Sequence, residues 1–193
     1  MNLSIGQIIV HPQHGPATIT DVFTRTMRGT PTRCLRLEVH RSDLVISMPA
    51  DAAARIGLRE VPDAAELEQL CDVLRAPTSH EEEGWSRRFK NNTERLRVGD
   101  LLPLAEVVRD LMRRELARGL SLGEKHLLKQ AARRVAAEIA LALGAGKADA
   151  ATDADADALL GSLVFGTPLP TVALPSVALP TVALPTVAQA SAG

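Results

Sequence analysis

The first quarter of the chain has a hydrophobic pattern that is typical of short β-strands. β-branched and apolar residues cluster at 8–10 (IIV), 18–20 (TIT) and 44–47 (LVIS). Between these clusters, HPQHGP at 11–16 and RGTP at 28–31 supply the proline and glycine that favour turns. Strands at this spacing predict a small, strongly bent sheet or an SH3-like barrel.

From Asp51 onward the pattern of apolar residues becomes helical, beginning with DAAARIG and ELEQLCDVLRA. Three longer helices are predicted, near residues 85–97, 103–118 and 122–143. Ser121 followed by Glu124 predicts a capping box at the start of the last one. The predicted fold class is therefore α+β, with a β domain over 1–50 and a compact α-helical domain over 51–143.

The C-terminal part of the chain changes composition again. GAGKADAATDADADA is followed by four tandem pentapeptides, LPTVA, LPSVA, LPTVA and LPTVA, over residues 169–188. The stretch from 159 to 193 carries no charge, but a proline every five residues argues against a membrane-spanning helix. We therefore expect a disordered, proline-containing tail over 144–193 and no membrane partner.

The formal net charge of −1 hides three blocks of different sign. Residues 1–83 carry eight arginines against twelve acidic residues, and the end of the chain is also acidic. Residues 84–134 carry thirteen lysines and arginines against six acidic residues. A basic block between two acidic ones indicates an anionic partner for the middle of the chain.

The sequence gives no positive support for catalysis or for a metal site. Cys34 and Cys71 are far apart and have no CxxC spacing. His11 and His14 have an HxxH spacing, but they fall in a Pro/Gly turn without a nearby carboxylate. No GxSxG elbow or glycine-rich phosphate loop is present, so we expect a non-enzyme without a cofactor. The first residues do not resemble a signal peptide, which predicts a cytoplasmic location.

Trp85, the single tryptophan, allows two interpretations. If it begins a helix, Phe89 and Leu96 lie on the same face, which is the pattern of a residue packed in the core. It is also followed by basic residues, including Arg87, Arg88 and Lys90, which favour phosphate. A tryptophan among basic residues can stack on a nucleobase or wedge against it. Pattern alone leaves both interpretations open.

A second basic segment spans residues 109–134. Its arginines and lysines could simply form a solvated helix face, but solubility alone does not require an excess of one sign. We therefore predict phosphate contacts from its basic side chains. These are Arg113, Arg114, Lys125 and Lys129.

Seven segments between residues 5 and 142 together resemble a known family. They are IGQIIVHPQHGPATITDV, TRTMRGTPTRCLRLEV, VISMPADAAARIGLRE, LRAP, WSRRFKNNTERL, AEVVRDLMRRELARGLSLGEKHLL and AARRVAAEIALA. They resemble the CarD/CdnL family of bacterial transcription regulators, in one unbroken register over residues 1–143. The PxHG turn and the WSRR and GLSxGEK segments are its most specific motifs.

The resemblance implies a Tudor-like domain that binds the β subunit of RNA polymerase, and a helical domain that contacts promoter DNA at the upstream edge of the transcription bubble. It implies that Trp85 inserts at the minor groove there and prolongs the life of the open complex. Arg87, Lys90 and Lys125 match the family's basic DNA contacts. Arg25 matches an arginine that contacts the polymerase.

One position departs from the pattern of the family's close relatives. Ser47 stands where actinobacterial members usually carry a second polymerase-contacting arginine, and this puts the strength of docking in doubt. Its neighbour Ile46 keeps the strand character of the segment.

The predicted function is that of a monomeric transcription regulator that binds the polymerase β subunit and stabilises the open promoter complex, largely without DNA sequence preference. The alternative is a general basic DNA-binding or nucleoid-associated protein that does not dock on polymerase. An enzyme acting on nucleic acid would need paired carboxylates or metal ligands in the basic domain, and the sequence offers none.

Overall fold

The computed structural model describes residues 3–78, 84–144 and 153–166. Within these residues, five antiparallel strands form one sheet of order β4-β3-β2-β1-β5. The strands are β1 (Ile8–His11), β2 (Gly15–Met27), β3 (Thr30–Val39), β4 (Val45–Pro49) and β5 (Arg59–Glu60). The predicted α+β class, with the sheet at the N-terminal end, is confirmed.

The long hairpin of β2 and β3 closes through a two-residue turn. Met27 pairs with Thr30, and the intervening Arg28 and Gly29 both have positive φ, at 51° and 82°. This is the conformation of a type I′ turn, whose twist matches that of the flanking strands. The glycine of the RGTP segment is therefore required by the turn itself.

The β domain extends beyond the predicted limit at residue 50. A 3-10 turn (Ala50–Ala52) and the short helix α1 (Ala53–Ile56) cover the sheet, and β5 then pairs with β1. Ala53 and Leu58 complete the core of this domain. Its other members are Ile9, Ala17, Ile19, Leu35, Leu37, Val39 and Met48.

The helical domain contains α2 (Ala64–Arg75), α3 (Trp85–Val98), α4 (Leu101–Arg118) and α5 (Leu122–Ala142). The three longer helices lie within two residues of their predicted limits. Their core is built from leucine, valine and alanine, because the chain offers few aromatic residues. Its fully buried members include Leu70, Leu74, Leu104, Val108, Leu111, Ala131 and Val135.

A further helix, α6 (Asp153–Phe165), lies in the segment that was expected to be disordered. That expectation is wrong for these residues. Ala156, Leu160 and Val164 recur every fourth residue and are buried in the core of the helical domain. The alternating aspartates in the first half of the helix give the segment the composition of a low-complexity tail. The pentapeptide repeats at 169–188 lie outside the described residues.

The turn after β1 connects the two domains. Arg134 of α5 donates hydrogen bonds from Nη1 to the carbonyl oxygens of Pro12, at 3.1 Å, and Leu96, at 2.8 Å. Gly99, between α3 and α4, lies so close to this turn that a Cβ atom would be 2.0 Å from the Pro12 oxygen. The PxHG turn is thereby fixed against the helices that carry the candidate site.

An ion pair with a buried carboxylate adds a second connection between the domains. Arg59 of β5 donates from Nη2 to Glu138 of α5, with the nitrogen 2.6 Å from Oε2 and 2.7 Å from Oε1. Burial raises the pKa of Glu138, although the Arg59 guanidinium acts in the opposite direction. Within the described residues, no helix has the length and apolar character needed to span a membrane.

Candidate nucleic-acid interface

Trp85 is the first residue of α3 and its side chain is half exposed, at 50 %. Its ring stacks on Phe89, one turn later, with centroids 5.3 Å apart and planes inclined by 14°. The indole Nε1–H donates to Ser121 Oγ at 3.0 Å. The interpretation of Trp85 as a core residue is therefore wrong: one face of the ring is supported by protein, and much of the ring is left accessible.

The partner of the indole is itself part of a hydrogen-bonded helix start. Ser121 caps α5 with Glu124 in the predicted capping box, and Glu124 accepts hydrogen bonds from the Ser121 backbone N–H at 3.1 Å and from its hydroxyl at 2.8 Å. Trp85 is thus tied to the first turn of a second helix. This attachment limits the orientations that its ring can adopt.

Arg88 helps to hold the residues that support Trp85 and is not part of the exposed surface. It is 7 % exposed, and its guanidinium donates to Glu124 Oε1 from Nε and Nη2, both at 2.8 Å. Glu124 is itself 2 % exposed. The prediction that Arg88 contacts DNA does not fit this placement, because the guanidinium would have to leave a buried carboxylate unpaired.

The carboxyl group of Glu124 is in the ionised state that suits an acceptor of hydrogen bonds from Arg88 and Ser121. Burial by itself raises the pKa of its carboxyl group, but the hydrogen bonds from Ser121 and the guanidinium of Arg88 outweigh burial. The net effect is a lowered pKa, so the carboxylate stays ionised at neutral pH. The contacts from Arg88 through Glu124 and Ser121 to Trp85 therefore form a continuous set of hydrogen bonds, in which those to the Glu124 carboxylate are charge-assisted.

The other predicted DNA contacts differ in their accessibility. Arg87 and Lys90 are exposed and, three residues apart, share a face of α3 that lies roughly opposite the one that carries Trp85 and Phe89. Lys125 is exposed in the second turn of α5, where its Nζ lies 3.0 Å from Glu115 Oε1. Arg114 lies apart from this group, half-buried in an arginine-rich cleft of about 300 Å³ between α3 and α4.

The predicted polymerase contacts lie on the β domain. Arg25 is exposed on β2 and Ser47 is exposed on β4, which is an edge strand. Ile46 is half-buried and packs against the domain core, so it supports the strand from within. Pairing places Arg25 opposite Thr32, and Ser47 opposite Arg36, so the two predicted contacts share the outer face of the sheet.

The same face holds side chains that sequence reasoning missed. The Arg36 guanidinium carbon lies 5.2 Å from the centre of the Phe23 ring, and its Nη1 is 3.2 Å from Asp21 Oδ2. Arg36 is paired directly with Ser47 across the strands. The alternation of 21, 23 and 25 along β2 was the available signal for this grouping. We call Phe23, Arg25, Arg36 and Ser47 the outer-face group.

Each of the two domains is similar to a known family. Residues 3–61 match the family described as "CarD-like/TRCF RID domain", and residues 69–155 match "CarD, C-terminal domain". The chain is 28 % identical over 127 residues to "Putative transcription factor YdeB" of Bacillus subtilis (strain 168), covering 66 % of this chain and 83 % of that protein.

The two matched domains, one after the other in a single chain, indicate a transcription regulator. They do not indicate a known enzyme class. The two family matches follow one another along the same part of the chain as the seven segments that resemble the family. The chain belongs to the CarD/CdnL family.

Proposed function

We propose that the protein binds the RNA polymerase β subunit through the outer face of its sheet and stabilises the open promoter complex by placing Trp85 against DNA at the upstream edge of the bubble. The observation that carries this proposal is the half-exposed indole, held by Phe89 and Ser121 at the surface of a basic helical domain. An apolar ring that is fixed and accessible can pack against an unstacked base step.

Stabilisation of this kind is a shift of populations. A protein that contacts the open promoter better than the closed one favours the open form by that difference in affinity. Trp85 contributes because its ring is already oriented before DNA arrives, so little conformational entropy is lost on contact. Arg87, Lys90 and Lys125 add phosphate contacts that carry no base information.

Docking on polymerase places the protein, and with it Trp85, at a fixed position along the promoter. Arg25 and Arg36 give the outer-face group two cationic side chains for an acidic patch on the β subunit. Arg36 lies directly across from Ser47 and brings positive charge close to the position where close relatives carry arginine. This neighbour partly offsets the missing charge, although its own partner Asp21 weakens the effect.

The proposal is tested by the lifetime of a polymerase–promoter open complex with and without the protein, comparing the wild type with Arg25→Glu. Reversal of an exposed charge in the docking face should lower the affinity for polymerase and raise the concentration needed to prolong the lifetime, because attraction becomes repulsion. Arg55→Glu makes the same charge change at an exposed site on α1 and is the matched control.

The general DNA-binding alternative predicts a different result. In that case the Arg25→Glu variant would bind duplex DNA and prolong open complexes at the same concentrations as the wild type. Such an outcome would overturn the docking part of the proposal.

A further inference from the structure

Helix α5 exposes positive charge only. Its two acidic residues, Glu124 and Glu138, are both buried, and each is paired with an arginine from another element. The charged residues that remain exposed are Lys125, Lys129 and Arg133, spaced four residues apart. Side chains at this spacing follow one face of a helix, so the stripe runs along the helix from the end that holds Trp85.

The stripe leads into a groove between α5 and the β domain. This groove has a volume of about 380 Å³, and none of the residues that line it is aspartate or glutamate. Both domains contribute basic side chains to it. These are His14, His40 and Arg41 from the β domain, and Arg133 and Arg134 from α5.

Several of these groups are held in place by the fold. Arg134 is anchored to the carbonyl oxygens of Pro12 and Leu96, and His40 Nε2 is hydrogen-bonded to Thr18 Oγ1 at 2.8 Å. Arg41 is exposed on the loop after β3 and has a positive φ of 59°. The groove therefore brings together three arginines, Arg41, Arg133 and Arg134, in a cationic surface that crosses from one domain to the other and in which Arg134 is already anchored.

From these observations, and resting on the proposed function, we propose that the α5 stripe and the interdomain groove hold the phosphate backbone of the duplex that continues from the Trp85 contact. The β domain then contacts DNA as well as polymerase. At 1.5 Å per residue, Lys125 and Arg133 are about 12 Å apart along the helix axis, which equals the rise of roughly three to four base pairs along the axis of a duplex, at about 3.4 Å each.

The shape of the surface favours duplex DNA over a small phosphate compound. A small anion is best held by several donors converging in an enclosed pocket. Here the cationic side chains are spread along a helix and into an open groove. An extended polyanion meets all of them at once, and contacts to its phosphates release counterions, so the track gives a measurable salt dependence.

The first test uses the full chain and duplex DNA, without polymerase. The double variant Arg41→Asn with Arg133→Gln removes two exposed charges, and asparagine tolerates the left-handed backbone at position 41. The slope of log affinity against log salt should fall by about two, because two phosphate contacts are lost. Arg55→Gln with Arg75→Gln, which removes two exposed charges elsewhere, should leave the slope unchanged. An equal fall in both double variants would overturn the proposed track.

The second test uses open complexes on two promoter templates. In one the upstream duplex ends at the bubble edge, and in the other it extends by about one helical turn, or 10 base pairs. The double variant should match the wild type on the short template and shorten the lifetime several-fold on the long one. Trp85→Ala should act on both. Equal lifetimes for double variant and wild type on the long template would overturn the track even if the Trp85 effect is present. Failure of the proposed function would instead abolish the wild-type effect on both templates, while the salt test would still decide the track.

Discussion

The substitution Leu160→Ala tests whether α6 is part of the folded body. Leu160 is 0 % exposed and lies in the core between Ala156 and Val164, where α6 packs against α2, α4 and α5. Truncating a fully buried leucine removes its transfer free energy and leaves a cavity, which together cost about 3 kcal/mol in a site that cannot collapse. For a chain of this length we expect Tm to fall by about 6–12 °C.

The matched control is Leu116→Ala. Leu116 also lies within a helix but is 78 % exposed, so the same substitution should change stability by less than about 0.5 kcal/mol. Urea denaturation followed by circular dichroism measures both free energies of unfolding. Amide exchange over residues 153–165 then shows whether α6 opens locally in the variant. If Leu160→Ala costs no more than Leu116→Ala, α6 does not pack as described and our assignment of it to the core is refuted.

Three further predictions concern the domain junction and the docking face. Gly99→Ala should destabilise the protein by about 3 kcal/mol, because its Cβ would meet the Pro12 carbonyl. Gly57→Ala, in a similar left-handed backbone conformation but with its added Cβ at an ordinary contact distance of 3.7 Å from Pro12 Cγ, should cost only about 1 kcal/mol; thermal melts of both decide this. Burial lowers the pKa of His11 to about 4, with smaller contributions from His14 and Arg134. As the pH falls from about 6.5 towards 4, the unfolded state takes up a proton that the folded state does not, so stability is lost over this pH range. His11→Gln should therefore flatten the pH profile of Tm, and an unchanged profile would contradict this. Ser47→Arg should tighten polymerase binding roughly fivefold at low salt and less at high salt, because an exposed charged contact contributes ~1 kcal/mol. If the affinity changes at neither salt concentration, position 47 is not in the interface.

Local signals predicted the elements of this protein well. The capping box of Ser121 and Glu124 lies within four residues, so it can be read from the sequence, and both of its hydrogen bonds are present. The exposed positions of Arg87, Lys90 and Lys125 also follow from helical spacing. These features depend on neighbours along the chain, which is why pattern reasoning reached them.

Features that depend on distant residues could not be predicted in this way. Arg88 was grouped with its basic neighbours, but its partner Glu124 is 36 residues away, and only the packing of α3 on α5 brings the two together. Helix α6 was missed because the alternating aspartates in its first half dominate the composition there. The short strand β5 pairs with β1, and the partners Ile9 and Glu60 are far apart along the chain. No local pattern therefore marks residue 60 as the end of the β domain.

The central claim is that Trp85 acts on DNA from the surface of a folded domain. The most direct measurement is the lifetime of the open complex with Trp85→Ala, alongside Val98→Ala, which truncates another half-exposed apolar side chain of α3. We expect Trp85→Ala to shorten the lifetime several-fold while polymerase affinity stays at the wild-type value and Tm changes by only a few degrees, and Val98→Ala to leave the lifetime unchanged. A lifetime equal to that of the wild type, with the protein bound to polymerase, would contradict the claim.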